Sequence, residues 1–98
     1  MKYNRETIIE KNMTLSFEFE RYLLENPAVM EQIPNDAEVV LLPKDDPELY
    51  QINLKAAQEA QAKGEKALVV FVEIEALAPP RSRIVNPRLT AHPTIRAS

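Results

Sequence analysis

Ninety-eight residues, 45% of them apolar and 28% charged, are enough for one modest hydrophobic core and not for two. The lack of Cys excludes a disulfide framework and a thiolate metal site, and a single His leaves zinc with little but carboxylates. The net charge of −3 divides unevenly, with +4 on residues 79–98 and −7 on residues 1–78, and such an uneven field points to partners without naming them.

Residues 1–13 are polar apart from Ile8 and Ile9, and the expectation is a flexible arm, loose or weakly strand-like. A helix is expected from Thr14, with Thr14 or Ser16 as its N-cap. Leu15, Phe19, Tyr22 and Leu23 recur at helical spacing, opposite Glu18, Glu20, Arg21 and Glu25. Asn26-Pro27 stops it, because the residue before proline is pushed out of the α region. Pro27 then suits the first position of a second, short helix capped by Asn26, with Ala28, Val29, Met30 and Ile33 as its apolar residues. Pro34-Asn35-Asp36 reads as a turn, and turn chemistry accounts for Asn35 and Asp36 without a catalytic role.

Glu38 to Leu42 is a β-branched and leucine run ended by Pro43, a short strand apolar on both faces. Asp45-Asp46-Pro47-Glu48 then starts a helix over 47–63: an Asp cap, Pro at the first position and an acid facing the positive end of the helix dipole. Leu49, Ile52, Ala56 and Ala60 make its stripe, with Leu54 and Ala57 at the edges. Gly64, the only glycine, stands where a left-handed C-terminal cap is wanted, between Lys63 and Lys66. Ala67 to Glu75 is a second strand. A helix of this length carries the chain back by about one strand length, so the two strands run parallel through a right-handed crossover.

After Leu77 the prolines at 79, 80, 87 and 93 interrupt any period, and Thr90–Ser98 is expected to lack fixed structure. The organisation expected is an arm (1–13), an α/β domain bordering on α+β (14–78) and a basic proline-rich tail (79–98). Two parallel strands are too few to be complete. The open edges can be covered by the arm around Ile8, by an edge strand over Ser82 to Val85, or by a second chain. A homodimer is the simplest solution, because two-fold dimers dominate among small oligomers.

Chemistry-bearing residues are sparse. Asp45, Asp46 and Glu48 lie at the carboxyl end of the first strand, where open α/β sheets bind ligands and where carboxylates could hold Mg²⁺ for a hydrolase or phosphotransfer role. Helix capping accounts for the same three residues in full. Glu73 and Glu75 near the end of the second strand add little to such a site. His92 stands in the tail without an orienting carboxylate, no nucleophile has an adjacent base, and a chain with one glycine has no phosphate loop. Phe17, Phe19, Tyr22 and Phe71 lie on periodic elements and are expected in the core rather than on a stacking platform. The expectation is no enzyme, no cofactor and no metal.

Arg81, Arg83 and Arg88 are the candidate partner-binding residues. They suit protein contacts, and a nucleic-acid partner is the alternative, although no base-reading module accompanies them. No apolar run approaches the roughly 20 residues of a membrane span, and the amino terminus lacks the apolar core of a secretory signal, so a cytoplasmic location is expected.

From Phe17 to Thr90 the chain resembles a small bacterial family of uncharacterised proteins. The resemblance rests on Phe17-Glu18-Phe19-Glu20-Arg21-Tyr22-Leu23, Glu25-Asn26-Pro27, Ile33-Pro34 and Asp45-Asp46-Pro47-Glu48. It implies no activity. By analogy it implies an accessory, partner-binding or antitoxin-like protein.

Overall fold

Asn4 opens the first helix. In the computed structural model, which describes residues 2–65 and 68–93, its side chain accepts the Thr7 N–H at 2.8 Å, and α1 runs unbroken over Arg5–Glu25. The expected arm is therefore helical from residue 5, and neither Thr14 nor Ser16 is a cap. The reason is a stripe that the sequence disguises. Ile8, Asn12, Leu15, Phe19 and Leu23 all face inward at helical spacing, and the polar Asn12 interrupts the apolar pattern. Asn26 ends α1 outside the α region before Pro27, as expected. Its side-chain amide turns back to the Tyr22 carbonyl at 2.8 Å, so it does not cap α2 (Pro27–Glu31).

The strands β1 (Glu38–Pro43) and β2 (Val69–Ile74) pair in parallel, Val40 opposite Phe71 and Leu42 opposite Glu73. Between them lies α3 (Pro47–Ala62), capped by Asp46 with Pro47 at its start. Gly64, at φ +71°, closes its other end: the Gly64 and Glu65 amides donate to the Gln61 and Ala60 carbonyls. The α/β class and the two N-terminal helices ahead of a βαβ unit are as the sequence reads. Lys66 and the expected strand start at Ala67 lie outside the described residues, as do residues 94–98 with Arg96.

The inward stripe of α3 passes through Leu49, Asn53 and Ala57, not Ala56, which is exposed. Asn53 again puts a polar residue on a buried face. Its amide bonds the Asn12 amide reciprocally, at 3.1 and 2.9 Å, and donates to the Leu41 carbonyl at 2.9 Å. The core is small: Leu15, Leu42, Leu49 and Ala57 are its buried apolar residues. Three of the four aromatics expected there are exposed, Phe17 by 62%, Tyr22 by 50% and Phe71 by 40%, and Phe19 is half-buried.

Among the described residues the tail adds no strand, and Ser82 to Val85 pairs with nothing. The radius of gyration is 19.5 Å, against about 13 Å for a compact domain of this length. The accessible surface is 8647 Å², roughly 3,000 Å² above the value of about 5,700 Å² for a compact monomer of this mass.

Candidate interaction surface

The acidic cluster forms a latch between helices. Asp46 accepts the Leu49 N–H at 3.3 Å, takes the Tyr3 hydroxyl at 2.9 and 3.0 Å on its two oxygens, and pairs with the Lys11 ammonium at 3.2 Å. Glu48 accepts the Tyr3 backbone N–H at 2.7 Å, and the Lys11 ammonium lies 4.8 Å from the centre of the Tyr3 ring. Partial burial pushes the Asp46 carboxyl up, but the Tyr3, Leu49 and Lys11 donors outweigh it and hold the group below its usual value. The bond to Asp46 in turn raises both the Tyr3 hydroxyl and the Lys11 ammonium. Two of the three carboxylates thus tie the start of α1 to the start of α3, and Asp45 is left exposed. Among the described residues no three His, Asp or Glu side chains converge on a common point. Tyr3 is the residue that sequence reading missed, since an isolated Tyr in a polar segment gives no periodic signal.

The other candidates lie apart. Asn35 and Asp36 are exposed in the turn before β1, and His92 is exposed in the tail, where its backbone meets only Thr90. Arg81, Arg83 and Arg88 are exposed along the tail and form no ion pair among the described residues. Glu73 accepts the Tyr50 hydroxyl at 2.6 Å, which raises the Tyr50 hydroxyl pKa and sets α3 on the sheet face that carries Val40, Leu42 and Phe71.

The edges of the sheet differ from one another. The Glu38 amide donates to the Leu68 carbonyl and the Lys44 amide to the Ile74 carbonyl, which fixes which backbone groups point across the ladder. In a parallel pair alternate residues point away. On β1 these are Val39, Leu41 and Pro43: the Leu41 carbonyl accepts from Asn53 and Pro43 has no N–H to leave open, while Val39 pairs with no strand among the described residues. On β2 they are Val69, Phe71 and Glu73, and among the described residues no strand pairs with their N–H and C=O groups. Packing shows the same bias, since among the described residues α3 lies over β1 and the only substantial neighbour of β2 is β1.

Beside that edge, on the face opposite α3, lies a groove of about 650 Å³ between the second half of α1, α2 and β2. Phe19, Tyr22, Val29, Ile33, Val70 and Val72 give it an apolar floor, and Glu18, Arg21 and Glu25 border it, while the Glu73 carboxylate is turned to Tyr50 on the other face. Arg21 approaches Glu18 at 3.9 Å, so the border keeps an acidic excess. An open strand edge beside an apolar groove can take an extended polypeptide, the backbone pairing with β2 and side chains entering the groove.

A model of a protein family of unknown function matches residues 7–87. No curated protein and no solved structure matches the chain.

Proposed function

This chain belongs to that family, DUF5647, which supplies no activity to inherit, and from that premise we propose that it is a non-enzymatic interaction module that pairs along β2, first of all with a second copy of itself. The open edge of β2 carries the proposal. A two-fold pair would set the two copies of β2 antiparallel and give a four-stranded sheet of order β1-β2-β2-β1, with a β1 edge partly blocked by Asn53 and Pro43 on each outer side. Among the described residues no helix is long and apolar enough to cross a membrane.

Proline scanning of β2 tests this. The residue 71 N–H points away from β1, so Phe71→Pro removes an edge donor and leaves the ladder intact, whereas Val72→Pro breaks it. The expected result is that the wild-type protein is a dimer by light scattering, Phe71→Pro is a folded monomer, and Val72→Pro unfolds. A wild-type monomer at high micromolar concentration, or a Phe71→Pro dimer, refutes the edge-paired module.

A further inference from the structure

We propose that the groove between α1, α2 and β2 is filled by the tail of the second copy, with Ile84, Val85 and Leu89 entering the apolar floor and Arg81 and Arg83 meeting the acidic border. The inference rests on the edge-paired dimer above and names what that dimer exchanges.

Three observations select this occupant. The tail is apolar where nothing covers it: Ile84 is 73% exposed, Val85 82% and Leu89 100%. Three such residues within six positions are more than a solvated linker needs, and they match a groove floored by valine, isoleucine and aromatic side chains. Charge agrees as well. The described part of the tail carries Arg81, Arg83 and Arg88 without an acid, and the groove border carries Glu18 and Glu25 against Arg21.

Chain direction selects the partner's groove over the chain's own. The tail leaves the end of β2 along Ala76, Leu77 and Ala78, which line the near end of its own groove. Pro79-Pro80 then holds Ala78 and Pro79 in extended conformations, so the chain departs where a return would need a reversal. In the two-fold pair the end of one β2 lies beside the start of the other. Adjacent strands are about 4.8 Å apart, and ten extended residues from Ile74 to Ile84 reach about 31 Å, which is ample. Asn86, at φ +46° ahead of Pro87, bends the tail again between Val85 and Leu89 and divides the apolar residues into two anchors.

The native chain has no cysteine, so single Cys variants report contact between copies. Val29→Cys on the groove wall and Val85→Cys on the tail are made in separate full-length chains of distinguishable mass, mixed and oxidised. The expected product is a disulfide-linked pair joining one chain of each kind, with far less linkage in either variant alone. Val85 and Leu89 are so exposed that Val85→Asp and Leu89→Asp cannot unfold the single chain, and each is expected to weaken the dimer about 10- to 100-fold. A dimer that shows no mixed linkage and ignores both Asp variants overturns the tail exchange and leaves the edge-paired dimer standing. Linkage only within a double-variant chain shows a tail folded onto its own groove, which also overturns it. A monomeric wild type removes the dimer and this inference together. Changing Arg81, Arg83 and Arg88 together to Ala is expected to weaken the dimer. If that change spares the dimer and abolishes a salt-sensitive shift of DNA, the tail serves nucleic acid and the inference is overturned.

Discussion

Leu49→Ala is the sharpest test of where the stability of the single chain resides. Leu49 is 2% exposed and sits in the first turn of α3, where it lines one cleft with Pro43 at the end of β1 and Leu15 of α1. Removing a buried leucine side chain costs the lost transfer energy and the cavity left behind, about 3 kcal/mol in a site that cannot collapse. A domain of this length has about 5–15 kcal/mol in total, and a core of so few buried residues puts this one toward the low end. With a urea dependence of about 1.5 kcal/mol per molar, the unfolding midpoint should fall by about 2 M. The matched control is Phe71→Ala, which removes a larger side chain from a 40% exposed position on β2. At a concentration low enough to hold the chain as a monomer, that change should cost at most about 1 kcal/mol. Chemical denaturation of both variants followed by circular dichroism decides the matter. Equal losses would mean that β2 is as well covered in the single chain as α3 is, and the argument from an under-covered strand would fail.

Four further outcomes follow from the same geometry. Asp46→Ala should cost about 1 kcal/mol or more through loss of the α3 cap. The wild-type unfolding temperature should not move with millimolar Mg²⁺, since capping and the Tyr3 latch already occupy Asp46; a shift abolished by Asp46→Ala would restore the metal reading. The depressed Asp46 carboxyl stabilises the fold above the unfolded aspartate value of about 4, and that contribution disappears as pH falls through the lower folded value. The raised Tyr3 and Lys11 groups act in the opposite sense, contributing below about pH 10 and being lost as pH rises through their folded values. Thermal unfolding against pH should therefore show a plateau with both shoulders, each reduced in Asp46→Ala. Asn53→Ala should lose about 1–2 kcal/mol, because it leaves the Leu41 carbonyl and the Asn12 amide without their partner, and Asn53→Gln should not recover it; full stability of Asn53→Ala in denaturant would show the amide pair to be incidental.

What the sequence made legible was local. Asn26-Pro27, Asp46-Pro47 and Gly64 each carry their meaning in backbone chemistry that needs no tertiary partner, and each lies where that chemistry demands. The β1–α3–β2 unit was legible for a similar reason, since two apolar runs joined through a helix of matching length have one common solution. What was hidden depended on contacts across the fold. The first turns of α1 were invisible because Asn12 breaks their stripe, and Asn12 makes sense only opposite Asn53, 41 residues away. Tyr3 was invisible because its partners are Asp46 and Glu48. The aromatics misled in the other direction. Helical or strand period marks a face but not how well it is covered, and Phe17, Tyr22 and Phe71 remain exposed in the single chain.

That last discrepancy bears on function, because the two edges of this small sheet are built differently. Stable monomers protect a free strand with proline, lysine, a bulge or a covering element. The outer side of β1 has two such devices, Pro43 at its end and the Asn12–Asn53 bridge over Leu41. The outer side of β2 is reached through Val69, Phe71 and Glu73, with no proline, no lysine and no covering element among the described residues. Both edges are strand edges of the same length in the same domain, so a general tolerance of exposed edges does not explain the contrast. An edge that pairs in the assembled protein has no need of protection against pairing, and Phe71 at its centre would then stack beside the Phe71 of the other copy, at the point where a two-fold axis places like against like.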